Sequence, residues 1–205
     1  MYLFFSTPVW SSKINNYNET NNDILKYILS LQENEPRGVN KSNFYGWHSG
    51  DFNLGEEPPK KFIKSLMKNI NKALGEMDWD LEKQDVKITN MWAIINKEGA
   101  FNQKHHHGNS DLSAAYYVKA PENCGDIVFY DPRPAPVFKH PIARKPNILN
   151  ASINSIKPEE GLLVLFPSYL EHSVNQNLSK EKRIVISFNI SLTNKNNEGN
   201  IKKSN

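Results

Sequence analysis

Three consecutive histidines, His105, His106 and His107, lie within the segment GAFNQKHHHGNSDLSAAYYV, residues 99–118. Side chains two residues apart on an extended chain project to the same face. His105 and His107 can therefore aim at one point while His106 faces away. Two imidazoles on one strand face make half of a metal site, and neutral imidazole suits iron, copper, zinc or nickel. The plainer alternative is a polar loop that happens to be rich in histidine.

The other half of such a site must come from elsewhere in the chain. Residues 160–177, EGLLVLFPSYLEHSVNQN, read as a glycine turn, a buried strand, a proline turn, and then His172 opening a further short strand. A ligand arriving from a distant strand is what a facial site requires. Eleven residues later, KRIVISFNI (182–190) places Arg183, Val185, Ser187 and Asn189 on one strand face. An arginine projecting into an apolar interior is costly unless an anion pairs with it. A planar guanidinium can hold a carboxylate through two parallel hydrogen bonds. An exposed arginine at the start of a strand is the competing reading.

The elements that must position these groups divide into two regions. In residues 1–85, a short strand is expected over Leu3–Phe5 and Val9–Trp10. A helix is expected around Asp23–Leu29, with Asn or Asp available as its N-cap. Residues 34–58 read as an irregular loop containing Phe44, Tyr45, Trp47 and His48, either part of a lid or substrate wall or a packed surface loop. Pro58-Pro59 then opens a second helix from about Lys60 to Leu74, with Gly75 placed to stop it. From about Asp85 the pattern becomes short alternating runs broken by Gly, Pro and Asn. Strands are expected at 86–95, 112–119, 126–130, 151–156, 161–166 and 183–192, with Val137–Phe138 and Ser173–Val174 as shorter additions. The tail from Asn194 is polar and is expected to fray.

Composition narrows the function classes. At 205 residues and net charge +3, the chain suits one domain, and its 25 basic and 22 acidic side chains form no basic stripe, which argues against nucleic acid. Cys124 is the sole cysteine, so an intramolecular disulfide is impossible and a reducing, cytoplasmic setting is expected. The opening MYLFFSTPVW lacks the basic region of a signal peptide, and no apolar run reaches the ~20 residues that span a bilayer, so no membrane partner is expected. The sequence leaves the oligomeric state open.

Taken together, the motifs resemble the 2-oxoglutarate/Fe(II) dioxygenase superfamily. More narrowly, they resemble a family of small oxygenases of marine bacteria and their phages, related to prolyl hydroxylases. The resemblance is carried by FSTPVW, by the stretch beginning at Trp92, by H-x-H followed by LSAAYYV, and by GDIVFYDPR (125–133). It continues in GLLVLFPS (161–168) before His172 and in RIVISFN (183–189). It covers about 90–192 well and the N-terminal third weakly.

The resemblance implies a mainly β fold, a double-stranded β-helix (a jelly-roll or cupin-like barrel) braced by N-terminal helices. It implies a single oxygenase domain over 1–205, with helical support in 1–85, the barrel core in 86–192 and a polar tail in 193–205. It implies Fe(II), 2-oxoglutarate as cosubstrate, and dioxygen, with hydroxylation of a small-molecule or peptide substrate, a prolyl residue among the candidates. His105, His107 and His172 match the metal ligands. Arg183 matches the anchor of the distal 2-oxoglutarate carboxylate, Tyr117 matches a tyrosine reaching the same carboxylate, and Ser187 is placed to add a hydrogen bond. Asp131, Pro132 and Arg133 match a family motif without an assigned role.

One departure stands out. The wider superfamily usually has H-x-D or H-x-E, whereas His107 occupies that second position here. A three-histidine centre carries one less negative charge, and Asp111 or Asp131 remains the alternative source of a carboxylate. Trp92, Phe129 and Phe166 are candidates to line the cavity or to fill the barrel core. Two rival classes stay open. A cupin-like metal dioxygenase that needs no 2-oxoglutarate explains His107 but leaves Arg183 and Tyr117 without a partner. A non-enzymatic jelly-roll binding module predicts no stoichiometric metal.

Overall fold

The computed structural model describes residues 2–134 and 141–195. The elements run β1 (Trp10–Lys13), α1 (Tyr17–Asn34), β2 (Asn43–Phe44), β3 (Trp47–His48), α2 (Glu57–Glu76), β4 (Gln84–Asn96) and β5 (Phe101–His105). They continue with β6 (Leu112–Lys119), β7 (Ile127–Tyr130), β8 (Ile153–Ile156), β9 (Leu162–Pro167), β10 (His172–Val174) and β11 (Arg183–Asn194). Two antiparallel sheets result, a six-stranded one in the order β1-β9-β6-β11-β4-β3 and a five-stranded one in the order β2-β5-β10-β7-β8. This is the mainly β, double-stranded β-helix architecture expected, open at its edges rather than a closed barrel.

The period of two in the long strands sorts side chains between two cores. On β11, Ile184, Ile186, Phe188 and Ile190 face the helices, while Arg183, Val185, Ser187 and Asn189 face the cavity between the sheets. On β4, Met91, Ala93 and Ile95 join the helix side, and Trp92, Ile94 and Asn96 the cavity side. The helices meet the large sheet through Ile24, Ile28, Phe62, Leu66 and Ile70, all fully buried. Burying such a side chain contributes roughly 1.5–3 kcal/mol, so the helices anchor firmly on the large sheet. A second core of Ala115, Phe129, Phe166, Leu170 and Val185 fills the space between the sheets.

Several local expectations are revised. α1 begins at Tyr17, six residues before Asp23, and Asn16 caps it in a left-handed conformation through its backbone carbonyl rather than its side chain. The early start is held by tertiary contacts: the Asn21 amide donates to the Val118 carbonyl and accepts from the Tyr116 hydroxyl. α2 runs through Gly75 to Glu76, with both prolines in its first turn, where the absent N–H groups cost nothing. The first strand is Trp10–Lys13, and Leu3–Phe5 is exposed and forms no strand, because no described element covers it.

The expected 34–58 loop contains β2 and β3, whose pairing depends on distant partners. β2 pairs with β5 and β3 with β4, so Asn43–His48 crosses from the small sheet to the large one. The Trp47 indole N–H donates to the Glu35 carbonyl, and Trp47, His48 and Phe52 are buried. The segment is a fixed wall across one edge of the sandwich, and Phe44 and Tyr45 face outward from it. The strand expected at Val137–Phe138 lies outside the described residues, as does most of the polar tail.

Candidate active site

β5 carries a one-residue bulge that shapes the site. His172 pairs with His105 while Val174 pairs with Asn102, two steps on β10 against three on β5. In a regular strand, residues 102 and 105 would point to opposite faces. The bulge turns both into the cavity, and His107 follows His105 with its backbone N–H held by the Ser168 carbonyl at 2.9 Å.

His105, His107 and His172 thereby converge. One ring nitrogen from each lies within 4.8 Å of the others. Ring centroids are 4.3 Å apart for 105–172 and 5.2 Å for both 105–107 and 107–172. His106 is exposed. The Nδ1 of His105 lies 2.7 Å from the Gln103 carbonyl, and that of His172 lies 2.9 Å from the Leu170 carbonyl. A carbonyl can only accept, so each Nδ1 carries the proton and each Nε2 presents a lone pair to the cavity. Burial, reinforced by the neighbouring imidazoles, lowers the pKa of His107 to about 4 and that of His172 to about 3. Burial also lowers that of His105. The cluster is neutral at pH 7, the state in which imidazole binds a cation.

Neither aspartate joins this group. Asp111 accepts from the Leu192 N–H at 2.7 Å, on the surface. Asp131 forms a two-pronged ion pair with Arg133, at 2.9 and 2.8 Å. That pair gives the Asp-Pro-Arg motif a structural task at the end of β7.

Arg183 is 1% exposed, an unusual burial for a guanidinium. Its Nη1 donates to the Cys124, Gly125 and Asn175 carbonyls, while its buried Nη2 has no hydrogen-bond partner. No ion pair among the described residues includes it. Desolvation depresses its pKa, as expected for a cation lacking a counter-charge. Tyr117 lies beside Arg183 on the cavity wall, and its phenol pKa is raised by burial. Ser187 lines the same cavity, two strand positions beyond Val185.

The cavity encloses about 610 Å³. Trp92 and Phe166 line it, whereas Phe129 packs against Phe166 and His172. Sequence reasoning did not single out Asn90, Asn96 or Asn102 on this wall. Period-two spacing from Trp92 on the same strand would have found the first two. Asn102 is inward only because of the bulge.

Residues 90–189 match the family model described as "Putative 2OG-Fe(II) oxygenase". Among curated proteins, none matches the sequence. Solved structures are similar in fold at low identity. A Pseudomonas putida prolyl-4-hydroxylase aligns over 91% of this chain and 93% of its own, with 12% identity and a TM-score of 0.60. A Trichoplax adhaerens prolyl hydroxylase, solved with a hypoxia inducible factor peptide fragment, aligns over 91% and 84%, with 14% identity and a TM-score of 0.62. HygX from Streptomyces hygroscopicus, solved with nickel, 2-oxoglutarate and hygromycin B bound, aligns over 92% and 84%, with 10% identity and a TM-score of 0.61. Fold and sequence match agree: residues 90–189 match a 2-oxoglutarate- and Fe(II)-dependent oxygenase family, and the chain is similar in fold to solved members of that superfamily.

Proposed function

We propose that the chain is a 2-oxoglutarate-dependent dioxygenase that hydroxylates a small substrate. Iron(II) would be held by His105, His107 and His172, and 2-oxoglutarate by Arg183, Tyr117 and Ser187. The observation that carries this reading is the Arg183 Nη2 group, buried, charged and unpartnered at the end of the cavity. A dicarboxylate with one end at the histidines and the other at Arg183 supplies the missing acceptor. The donor set also suits the metal: three neutral imidazoles, two with the tautomer fixed by a carbonyl.

When bound, iron(II) and 2-oxoglutarate would supply the oxidising chemistry with dioxygen as the oxidant, one oxygen atom going to succinate as 2-oxoglutarate loses carbon dioxide and the other to the substrate. The protein's part is orientation and exclusion of water. The carbonyls of Cys124, Gly125 and Asn175 fix the guanidinium plane. The Tyr117 hydroxyl, kept protonated by burial, is a donor to the same carboxylate. Phe166, Val185 and Ala115 give the span between the arginine and the histidines an apolar lining. A fixed donor in such surroundings acts more strongly than it would in water.

The test is anaerobic addition of Fe(II) and 2-oxoglutarate to purified protein. A weak visible charge-transfer band is expected, followed under air by conversion of 2-oxoglutarate to succinate. Failure of both would overturn the reading. Among the described residues no carboxylate joins the three histidines, which suits a three-histidine dioxygenase that uses no 2-oxoglutarate, and binding of metal without any 2-oxoglutarate would favour that second reading.

A further inference from the structure

At the mouth of the cavity, the exposed Lys41 and Asp51 flank the crossing from β2 to β3 with one charge of each sign. Lys41 precedes the crossing, where the Ser42 carbonyl accepts from the Gln103 N–H and Asn43 pairs with Asn102 of β5. Asp51 follows it, between Ser49, whose N–H donates to the Ala93 carbonyl, and Phe52, whose N–H donates to the Met91 carbonyl of β4. The cation is therefore seated against the small sheet and the anion against the large one. Both line the cavity, and neither takes part in an ion pair among the described residues.

His48 lies between them in sequence and lines the same cavity. It is 7% exposed, stacks on Trp92 at 5.7 Å and 11°, and Trp92 in turn lies 5.7 Å from the His107 ring. The His48 Nδ1 lies 2.6 Å from the Ser49 carbonyl, so its Nε2 is an acceptor. Both Lys41 and Asp51 act electrostatically on this ring, in opposite senses. The wall below combines the apolar side chains of Ile94, Val185 and Phe166 with the amides of Asn96 and Asn102. Two opposite charges over a channel with an apolar side complement a ligand that is charged at one end and aliphatic at the other.

We infer that this mouth is a zwitterion subsite, in which Lys41 holds the carboxylate and Asp51, with His48, the ammonium of a small free amino acid whose aliphatic carbons reach toward the three histidines. The inference rests on the dioxygenase reading and narrows its substrate class. A capped peptide, lacking both charges, would forgo both contacts. A simple amine or a simple acid would answer only one.

Binding to the metal-free full chain is the primary measurement, so the outcome does not depend on turnover. Pools of the twenty L-amino acids are screened by saturation-transfer NMR, and hits are titrated alongside their N-acetyl amides, the matching amines and the matching carboxylic acids. At least one amino acid is expected to bind about tenfold or more tightly than each analogue, the scale of one charge-assisted hydrogen bond. Lys41→Met should abolish the preference over the amine while keeping the preference over the acid. Asp51→Asn should do the reverse, a crossed pattern that misfolding cannot produce. Equal binding of the N-acetyl amide, or no binding by any amino acid, overturns the proposal. The charge-transfer band with 2-oxoglutarate is recorded on the same protein. If it is present while amino acids fail, the substrate class alone is wrong. If the band and succinate formation under air are both absent while amino acids bind, the dioxygenase reading fails and the subsite stands.

Discussion

His105 and His172 are cross-strand partners, their ring centroids 4.3 Å apart, and each ties its Nδ1 to the carbonyl two residues before it in the chain. The two strands thus build mirrored halves of one arrangement, with each ring locked by its own local backbone. His172→Ala is expected to lower metal affinity by more than the roughly 10–100-fold that loss of an outer partner costs. Asp111→Ala should retain metal. Metal content after dialysis, by atomic emission, separates the two, and metal loss in the Asp111 variant would restore the carboxylate alternative.

Arg183→Lys keeps a buried cation but removes the fork. With hydrogen bonds to charged groups worth about 1.5–3 kcal/mol, 2-oxoglutarate affinity should fall roughly 10–100-fold while metal binding holds. Anaerobic titration of the charge-transfer band reads the first, and metal analysis the second. Loss of metal as well would mean that Arg183 acts only as a structural clamp for the Cys124–Gly125 and Asn175 carbonyls.

Gly125 has φ +90°, and a Cβ there would collide with the Asn175 backbone. Its carbonyl is also one of the Arg183 acceptors. Gly125→Ala should therefore cost about 1–3 kcal/mol from backbone conformation alone and should weaken 2-oxoglutarate binding in parallel. Thermal unfolding and 2-oxoglutarate titration on the same sample check the pairing. A destabilised variant with intact affinity would separate the arginine seat from this turn.

The pH dependence follows from the histidines. Their native pKa values are depressed, to about 4 at His107 and about 3 at His172, from an ordinary value of 6.5. Between those limits the unfolded chain binds more protons than the native one, so stability rises with pH. The metal-free protein should be fully stable above about pH 6.5 and should lose stability as pH falls toward 4. Unfolding midpoints at constant ionic strength between pH 4 and 8 test this. A flat profile would mean that the cluster is hydrated and unshifted.

Much of this was legible in the chain because the long strands obey a strict period of two. Arg183, Val185, Ser187 and Asn189 could be placed on one face before any coordinates, and the face is the cavity wall. The pairing of His105 with His107 needed only an extended backbone. β5 itself was not foreseen, since Phe-Asn-Gln-Lys-His shows no apolar alternation and its inward face depends on a bulge set by β10. β2 and β3 were hidden for a related reason. Two-residue strands carry no periodicity, and theirs follow from Trp47 packing beneath Glu35 and from the edges of β4 and β5. The first turns of α1, rich in Asn, Thr and Glu, have little apolar pattern and are held by Asn21.

The crossing from β2 to β3 lies wholly before residue 90, outside the span that matches the family model. On the proposed reading, the metal and 2-oxoglutarate residues and the cavity mouth are thus encoded in separate stretches of the chain. Relatives that share the later stretch can diverge in what they admit by altering a dozen early residues, with the oxidising machinery untouched. Grafting residues 39–51 between such relatives would transfer selectivity, and the backbone anchors at Ser49 and Phe52 mark where the seams belong.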